Sequence, residues 1–502
     1  MNLTMLLDMA VDGFGDRVLI GPRDCGITAR GLRDRSIRGA DLIRKANADA
    51  VVYLSLNGPS FPIALFSAAR AGVPLVPVNY RLGAEQIEGV LANHPRALGI
   101  VGPESVATLA RVGIDAMAVD DFLAAVSGEP LTDPEVEAGE VADTGGPAVV
   151  IYTSGTTSAP KGVLLRHENL TSYVFGSVEF ASAAAEDAAL VSVPPYHIAA
   201  VANVISNLFA GRRTLVLEQF TPQQWLEVAR SENVTNALVV PTMLARIVDS
   251  DEDKHLPTLR NLAYGGAPMP GAIIERALEM WPEVGFANAY GLTETSSTVA
   301  VLGPDDHREA LASDEPSVRA RLSSVGRVLP GIDLEIRDED DNRVDVGVVG
   351  RICVRGEQVS AEYAGIGRAV DDGGFFDTRD KGYVDDNGFL YIGGRVDDTI
   401  IRGAENIAPA EIEEVLYRHP AVLDVAVVGV PDEEWGQRIE AVVVVRPGVN
   451  VGVDELRSHV RTILRGSKTP DRIVYWDELP RTETGKLIRR NVLARLTETS
   501  TV

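Results

Sequence analysis

The sequence predicts an α/β fold in three parts: a large N-terminal domain of α/β layers, a small β-barrel-like subdomain at its end, and a smaller α+β domain. Three observations support this prediction. Strand-like and helical segments alternate in the first third, short strands bounded by turn residues begin at Ser323, and residues 395–502 contain strands and helices of their own. The length of 502 residues is also too great for one ordinary core.

The first third alternates between strand and helix signals. The segments ADAVVYLSL and VPLVPVN are apolar and bounded by turn residues, as strands are, and we predict an amphipathic helix for PSFPIALFSAARAG between them. The acidic segment LTDPEVEAGEVADTGG, with its Gly and Pro, is typical of an exposed connection. It precedes an apolar strand, GPAVVIY.

The subdomain is predicted over residues 323–394, from the short strands in SVGRVLPGIDLEIRDEDDNRV, VVGRICVRG and DNGFLYIGG. A glycine pair and charged residues, GGRVDD, then lead to a helix after Pro409, two strands and a second helix. We therefore divide the chain into residues 1–394 and 395–502, with a mobile connection near Asp397. A plain linker would have the same composition.

The composition limits the classes of partner. A formal net charge of −25 argues against nucleic-acid binding, because affinity for phosphate backbones needs clustered positive charge. The basic cluster between Arg30 and Lys45 could make a weak peripheral contact with an anionic membrane surface, although a solvated, salt-bridged helix face is the favoured explanation. No segment is long and apolar enough to span a bilayer, and the start lacks the basic region of a signal peptide, so we expect a cytoplasmic protein.

The two cysteines, Cys25 and Cys353, lie far apart, and no His or Cys stands at ligand spacing from either. We therefore expect neither a disulfide framework nor a zinc site.

The loop TSGTTSAPKG, which follows the strand GPAVVIY, predicts a phosphate site. Its glycines and hydroxyls can bring backbone N–H groups close to an anion, and Lys161 adds a mobile positive charge. A solvated surface loop is the alternative. A Walker A loop is excluded because Pro160 precedes and Gly162 follows the lysine, where that motif needs Gly and then Ser or Thr. Any Mg2+ ligand must therefore come from elsewhere.

Further clusters of glycine and polar residues follow in order: PPYHIAA, YGGAPMP, NAYGLTETSS, FFDTRDKGYVDDNG, GRVDDTIIRGAENIAPAEIE and PRTETGKLIRR. Together with the loop, this ordered set resembles the adenylate-forming superfamily of acyl-CoA synthetases, beetle luciferases and peptide-synthetase adenylation domains, and is most similar to fatty acyl-CoA ligases. The resemblance covers nearly the whole chain.

The resemblance implies an ATP site. The loop would cradle the β- and γ-phosphates, small residues would let adenine lie against backbone, and Tyr290 would stack on it. Thr293 would contact the α-phosphate, and Glu294 would hold Mg2+. The residues implied in nucleotide binding are Thr153, Ser154, Gly155, Thr156, Thr157, Lys161, Gly265, Gly266, Ala267, Pro268, Tyr290, Gly291, Asp380 and Arg395, the last two at the ribose hydroxyls.

The resemblance implies four catalytic residues: Thr293 and Glu294, described above, together with Lys486 and His197. Lys486, in TETGK, would enter the site for the first half-reaction and place positive charge where negative charge develops. His197, in PPYHIAA, would be an aromatic gate between the acyl pocket and the active site. A surface lysine and a structural histidine are the alternatives.

The implied reaction has two steps. A small-molecule carboxylic acid and MgATP give an acyl-adenylate and pyrophosphate. The C-terminal domain then rotates about Asp397, moves Lys486 away and brings Gly403 near the pantetheine of coenzyme A, whose thiol displaces AMP. The sequence departs from the family at three positions, where Ser158, Arg379 and Ala404 each replace a glycine. The last bears on whether CoA or another thiol is the acceptor.

Three functions remain open. Ile198, Ala199 and Ala200 follow His197, where amino-acid adenylation domains carry an acidic residue, so a hydrophobic acid is favoured over an amino acid. The favoured function is an ATP-dependent acyl-CoA ligase for a fatty or related acid. An enzyme that passes the acyl group to a carrier-protein thiol is the alternative. A catalytically silent nucleotide sensor or scaffold is disfavoured because Lys486, Glu294 and Asp380 are all present.

Overall fold

The structure is a computed structural model that describes residues 1–132, 145–153, 160–402, 405–432, 435–464, 466–482 and 485–499. Within this part of the chain the helices are α1 (Thr4–Phe14), α2 (Ala29–Lys45), α3 (Ser60–Ala71), α4 (Ala84–Leu91), α5 (Val106–Arg111), α6 (Val119–Val126), α7 (His167–Ser177), α8 (Ile198–Ala210), α9 (Pro222–Ser231), α10 (Pro241–Asp249), α11 (Gly271–Met280), α12 (Pro304–Ala312), α13 (Pro316–Arg319), α14 (Pro409–Tyr417), α15 (Val453–Ile463) and α16 (Arg489–Thr499).

The strands of the same residues are β1 (Val18–Ile20), β2 (Ile27–Thr28), β3 (Ala50–Leu54), β4 (Leu75–Pro77), β5 (Ala97–Val101), β6 (Asp115–Ala118), β7 (Pro147–Thr153), β8 (Lys161–Arg166), β9 (Ala188–Val191), β10 (Arg213–Val216), β11 (Asn236–Val239), β12 (Asn261–Gly265), β13 (Gly285–Leu292), β14 (Ser297–Leu302), β15 (Arg327–Val328), β16 (Asp333–Arg337), β17 (Gly350–Arg355), β18 (Glu362–Tyr363), β19 (Gly367–Arg368), β20 (Phe376–Val384), β21 (Leu390–Arg395), β22 (Ile400–Arg402), β23 (Glu405–Ile407), β24 (Val422–Asp432), β25 (Gly436–Val445) and β26 (Arg472–Tyr475).

Two large, mostly parallel sheets form the N-terminal part. One has nine strands in the order β15-β14-β13-β12-β11-β9-β10-β1-β2, and the other has eight in the order β19-β18-β8-β7-β4-β3-β5-β6. Strands β3 and β5 are buried along their whole length. Their continuous apolar sequence is what a parallel strand with both faces covered requires.

Helix α3 differs from the prediction. The sequence predicted an amphipathic helix, but every residue from Ser60 to Arg70 is buried. The reason is that α1, α2 and α6 pack around α3 together with strands β3 and β4, so no face of the helix reaches solvent. The buried Arg70 donates hydrogen bonds to Ser36 and Asp8, which compensates its charge.

The basic cluster between Arg30 and Lys45 lies on α2. Three of its arginines form ion pairs, which join Arg30 to Asp16, Arg33 to Asp34 and Arg44 to Asp41. These ion pairs agree with the salt-bridged helix face that the sequence favoured, whereas membrane contact stays a prediction.

The β-rich segment forms an antiparallel sheet of four strands in the order β16-β17-β20-β21. Its own apolar core includes Ile336, Ile352, Val354, Phe376 and Leu390.

The C-terminal segment is built on the three-stranded sheet β24-β25-β26. Alternate residues of β24 face opposite sides: Val425 and Val427 pack with α14 and α15, whereas Ala426 and Val428 pack with Val492 of α16. The segment therefore has cores of its own on both sides of its sheet.

These layers confirm the predicted α/β class. The subdomain predicted to be β-barrel-like is instead an open sheet, because its outer strands β16 and β21 do not pair with each other. Cys25 is exposed and Cys353 is buried, and both are free. Within the described part of the chain, no helix has both the length and the apolar character needed to cross a bilayer.

Candidate active site

The candidate site lies at the carboxyl ends of β12 and β13, two neighbouring parallel strands. Ligand sites of parallel sheets usually form at this edge. Gly265 ends β12, and a Cβ there would lie 2.2 Å from the carbonyl oxygen of Ala289, so only glycine fits. Gly266 follows with φ +84°, in the left-handed region that favours glycine, and Ala267 and Pro268 continue the turn.

A hydrogen bond joins this edge to the four-stranded sheet. The Tyr290 hydroxyl, on β13, donates to Oδ2 of Asp380, on β20, at 2.6 Å. The other carboxylate oxygen of Asp380, Oδ1, lies 3.2 Å from Nε of Arg395, which is the residue opposite it on β21. Because each carboxylate oxygen can accept more than one hydrogen bond, Asp380 can still bind sugar hydroxyls.

A second hydrogen bond joins the same edge to the eight-stranded sheet. Thr293 and Glu294 lie in a short 3₁₀ turn after β13, and the Tyr363 hydroxyl donates to Oε1 of Glu294 at 2.9 Å. Nζ of Lys161 lies 5.9 Å from the centre of the Tyr363 ring. Tyr363 therefore connects the loop lysine to the carboxylate predicted to hold Mg2+.

The predicted phosphate loop connects β7 to β8. These strands pair antiparallel, Thr153 opposite Lys161, at the two ends of the loop. The structure thus places both ends of the loop at the site. Ser154, Gly155, Thr156, Thr157 and the departure Ser158 lie outside the described residues.

Lys486 comes to the candidate site from the C-terminal segment, and the space between that segment and the carboxyl edge of β12 and β13 is called the cleft from here on. Its carbonyl oxygen and backbone N–H bond to Thr482, and the preceding Gly485 packs against Thr242, where a Cβ would lie 2.1 Å from Oγ1. The side chain lies in the electrostatic reach of Arg395, Asp380 and Glu294. The contact between Gly485 and Thr242 thus seats this loop on α10.

His197 lies beside Lys486 at the start of α8, with its ring centre 4.7 Å from that of Tyr196. Burial and the positive charge of Lys486 lower the pKa of His197 to about 4. The ring is therefore neutral at neutral pH. This state suits a residue that borders an apolar pocket.

The surroundings shift the pKa of two charged groups in the cleft, Lys486 and Asp380. The Lys486 side chain is exposed at the cleft surface, yet the surrounding protein displaces much of its water. This desolvation and the charge of Arg395 lower the pKa of Lys486, and the nearby carboxylates offset part of the effect. Burial raises the pKa of Asp380, opposed mainly by the Tyr290 hydrogen bond.

The connection between the two predicted domains is a short 3₁₀ turn, Val396–Asp398. Arg379 donates a hydrogen bond from Nη2 to Oδ1 of Asp397, 2.9 Å away. Gly403 and Ala404, predicted to lie beside the incoming thiol, are outside the described residues.

Among the described residues, no group of three or more His, Cys, Asp or Glu side chains could hold a metal ion. Mg2+ does not need such a group, since it is usually held by one or two carboxylates, substrate phosphates and water. Glu294 fits this pattern, because Tyr363 fixes Oε1 and no described residue donates a hydrogen bond to Oε2.

Residues 7–364 match the AMP-binding enzyme family, and residues 411–486 match the AMP-binding enzyme C-terminal domain. The chain belongs to this family of AMP-binding enzymes. It is therefore an AMP-forming acid–thiol ligase of the adenylate-forming superfamily, which uses ATP and a small-molecule acid.

Several AMP-binding enzymes resemble this chain over almost their whole length. A fatty acid–[acyl-carrier-protein] ligase, ScoC, of Streptomyces coeruleorubidus is 31% identical over 93% of this chain and 91% of its own. A feruloyl-CoA synthase of an Amycolatopsis species is 33% identical over 93% and 91%. The structure of o-succinylbenzoate CoA synthetase from Bacillus subtilis with its acyl-adenylate intermediate superposes with a TM-score of 0.83 at 25% identity, covering 97% of both chains.

Sequence analysis of this AMP-binding enzyme missed Tyr363. The residue lies 69 positions from Glu294, in a strand of only two residues, and no spacing pattern links the two. The one available signal is an aromatic residue with a polar tip among glycines and charged residues, which many surface turns share.

Proposed function

We propose that this enzyme activates a hydrophobic carboxylic acid, fatty or related, and transfers the acyl group to coenzyme A. The observation that carries the proposal is the position of Lys486, in the same cleft as Asp380, Glu294 and His197. A cation from the C-terminal segment thus faces the groups predicted to bind the nucleotide.

Positive charge at this position would lower the barrier of the first step. A carboxylate oxygen attacks the α-phosphorus of ATP, the bond to the pyrophosphate oxygen breaks, and an acyl-adenylate forms. The reactants are both anionic, so the Lys486 ammonium offsets their repulsion and the charge that develops on the transferred phosphoryl group. Arg395 and Lys161 add further positive charge at the same cleft.

The nucleotide would lie along the carboxyl edge of β12 and β13. We propose that adenine lies between the Tyr290 ring and the backbone of Gly265, Gly266, Ala267 and Pro268, with Gly291 adjoining. The ribose hydroxyls then reach Asp380 and Arg395, and the α-phosphate reaches Thr293. For the β- and γ-phosphates we propose the loop residues Thr153, Ser154, Gly155, Thr156, Thr157 and Lys161.

Glu294 is the residue we propose to hold Mg2+. The ion, when bound, would neutralise phosphate charge and orient the pyrophosphate leaving group. The hydrogen bond from Tyr363 would keep the Glu294 carboxylate in one orientation.

The acid is proposed to be apolar because of α8. This helix begins directly after His197 with Ile198, Ala199 and Ala200, carries no charged residue in its sequence IAAVANVISNLFA, and packs against β14. An amino group bound there would have no carboxylate partner on the helix, and a charge without a partner is costly to bury. The neutral His197 at its start agrees with this preference.

In the second step we propose that the thiolate of CoA attacks the acyl carbonyl carbon. The C–O bond to AMP breaks, the thioester forms, and the thiol proton passes to solvent. Rotation of residues 395–502 about Asp397 would move Lys486 out and bring Gly403 toward the pantetheine.

A carrier-protein thiol in place of CoA is the second candidate. One observation favours it: the 31% identical relative named as a fatty acid–[acyl-carrier-protein] ligase. The presence of Ala404 where the family has a glycine also keeps a different acceptor open.

The test is AMP release from MgATP with fatty and aromatic acids of graded size. Each acid is assayed alone, with CoA and with a phosphopantetheinylated carrier protein, and the thioester is identified by mass. We expect CoA-dependent AMP release that is strongest with uncharged apolar acids and absent with amino acids. Release that responds only to the carrier protein would favour the second candidate, and preference for amino acids would overturn the proposal.

A further inference from the structure

Two adjacent carboxylates in the turn Val396–Asp398 are bound to opposite parts of the chain. Oδ1 of Asp397 accepts a hydrogen bond from Nη2 of Arg379, at 2.9 Å, and Arg379 belongs to β20 of the four-stranded sheet. Oδ2 of Asp398 lies 3.4 Å from Nε of Arg489, the first residue of α16. The connection is thus held from both sides.

The Arg489 contact belongs to the C-terminal segment. Arg489 also donates from Nη2 to Oε2 of Glu413, on α14, at 2.8 Å, and from Nη1 to the carbonyl oxygen of Val427, on β24, at 2.7 Å. A rotation of that segment as a body would carry Arg489 and Asp398 together. The Arg379–Asp397 ion pair is then the one of these two contacts that a rotation about the turn would strain or break.

The backbone conformation of Arg379 costs free energy in the folded state. Its φ is +61°, in the left-handed region where a Cβ costs free energy. Strand β20 bulges here, because Arg351 and Cys353 of β17 lie opposite Lys381 and Asp377, so Ile352 faces three residues. The bulge buries Asp380 and leaves the Arg379 side chain 58% exposed beside the turn.

We propose that Arg379 is a positioning residue: its ion pair with Asp397 holds the turn in the arrangement that keeps Lys486 in the cleft. The pair therefore favours adenylate formation and must be released before the thiol step. This inference rests on the proposed two-step function, and it explains why an arginine occupies a left-handed position that glycine would adopt without strain.

The expected effect is modest because the pair is exposed. The side chains are 58% and 36% exposed, and pairs of this kind shift an equilibrium by about two- to fivefold. Salt screens them, so ionic strength should act in the same direction as the loss of the pair.

The test measures the position of the C-terminal segment without relying on activity. Spin labels on the exposed Cys25 and on Ser458→Cys of α15, both on the protein surface, report the distance between the two parts of the full-length chain. Cys353 is buried and should not take the label. Arg379→Ala removes the ion pair but keeps a Cβ, and Arg379→Lys keeps a charge that can reach Asp397.

The matched control is Arg355→Ala. Arg355 forms a cross-strand pair with Asp333 in the same sheet, at 2.7 Å, and this pair is also well exposed and lies away from the turn. At low salt, we expect Arg379→Ala to raise the fraction of molecules outside the main label distance of the wild type by about two- to fivefold. The wild type at high salt should change in the same direction. Arg379→Lys and Arg355→Ala should keep the wild-type distribution.

Kinetics give the second readout. Two rates are compared: pyrophosphate release in the first step, and thioester formation from preformed acyl-adenylate in the second. In Arg379→Ala we expect the ratio of the second rate to the first to rise by about two- to fivefold. Unchanged distances and partition in Arg379→Ala, or an equal change in Arg355→Ala, would overturn the inference. If the wild type formed no adenylate with any acid, the proposed function would fail, whereas the distance measurement would still decide the role of the ion pair.

Discussion

The hydroxyl of Tyr290 donates a hydrogen bond of 2.6 Å to Oδ2 of Asp380, and this bond joins the nine-stranded sheet to the four-stranded sheet across the candidate nucleotide site. It lowers the pKa of Asp380, which burial raises. The carboxylate form is the one that can accept both ribose hydroxyls. The Tyr290–Asp380 contact should therefore control nucleotide binding as a function of pH.

Tyr290→Phe keeps the aromatic ring but removes the donor. The pKa of Asp380 should rise further, so the carboxylate is lost at a higher pH as the solution is acidified. We expect KM for ATP to rise about tenfold, the cost of a hydrogen bond to a charged group, and to rise more steeply below neutral pH than in the wild type. Initial rates over a range of pH check this.

The matched control for Tyr290→Phe is Tyr264→Phe. Tyr264 lies on the neighbouring strand, and its hydroxyl hydrogen bonds to Nε2 of His307, at 2.9 Å, away from the cleft. The Tyr264→Phe variant should lower the free energy of unfolding without changing the pH dependence of KM for ATP. Equal kinetic effects of the two variants would mean that the Asp380 contact has no particular role.

Tyr363→Phe should weaken the response to Mg2+. The variant removes the donor that fixes Oε1 of Glu294, so the carboxylate can turn away from a bound ion. We expect the Mg2+ concentration for half-maximal rate to rise several-fold, and Mn2+ bound in the presence of ATP to show a changed electron paramagnetic resonance spectrum.

Tyr475→Phe is the control for Tyr363→Phe. It also loses one hydrogen bond, to the carbonyl oxygen of Val451, but lies in the C-terminal segment away from the cleft. Its metal response should equal that of the wild type. An unaltered metal response in Tyr363→Phe would show that Tyr363 does not orient Glu294.

Lys486 should produce an alkaline limit in adenylate formation. The ammonium is present below its pKa and is lost as pH rises through that pKa, which desolvation and Arg395 lower. The rate should therefore fall at a pH below the usual lysine value of about 10.4. Lys486→Arg should move this limit to a higher pH, since an arginine stays charged. A limit at the same pH in wild type and Lys486→Arg would assign it to another group.

Gly291→Ala should destabilise the fold at the site. A Cβ there would lie 1.8 Å from the carbonyl oxygen of Ser297, on the antiparallel partner strand, and backbone must move to admit it. We expect a loss of about 2 kcal/mol or more in the free energy of unfolding, measured in urea. Gly89→Ala lies on the exposed side of α4, where an added Cβ would meet nothing within 4 Å beyond the backbone of the helix itself, and it should instead stabilise by about 0.5–1 kcal/mol.

Local patterns account for what the sequence predicted. Alternating strand and helix segments predicted the α/β class, and the structure confirms it through the two mostly parallel sheets and the helices that cover them. The structure also brings Tyr290, Asp380, Arg395, Glu294 and Lys486 to one cleft. Their roles and the domain boundary near Asp397 stay predictions.

What the sequence did not predict depends on packing between distant segments. Helix α3 is buried all round because neighbours from several parts of the chain cover it, and its own pattern does not reveal them. The contacts of Tyr363 with Glu294 and of Arg489 with Asp398 each join a short 3₁₀ turn to a strand or helix far away in the sequence. The sequence showed Arg379 as a departure from glycine, but only the structure shows its partner, Asp397.

The most direct test of the central claim is pyrophosphate release in a single turnover, without CoA, by wild type, Lys486→Ala and Lys468→Ala. Lys468 is a matched control, because it is also a lysine of the C-terminal segment but is paired with Glu411, 2.6 Å away. We predict a loss of about 10²–10³-fold in Lys486→Ala and almost none in Lys468→Ala, with thioester formation from preformed acyl-adenylate intact in both. A rate in Lys486→Ala within a few-fold of the wild type would contradict the account.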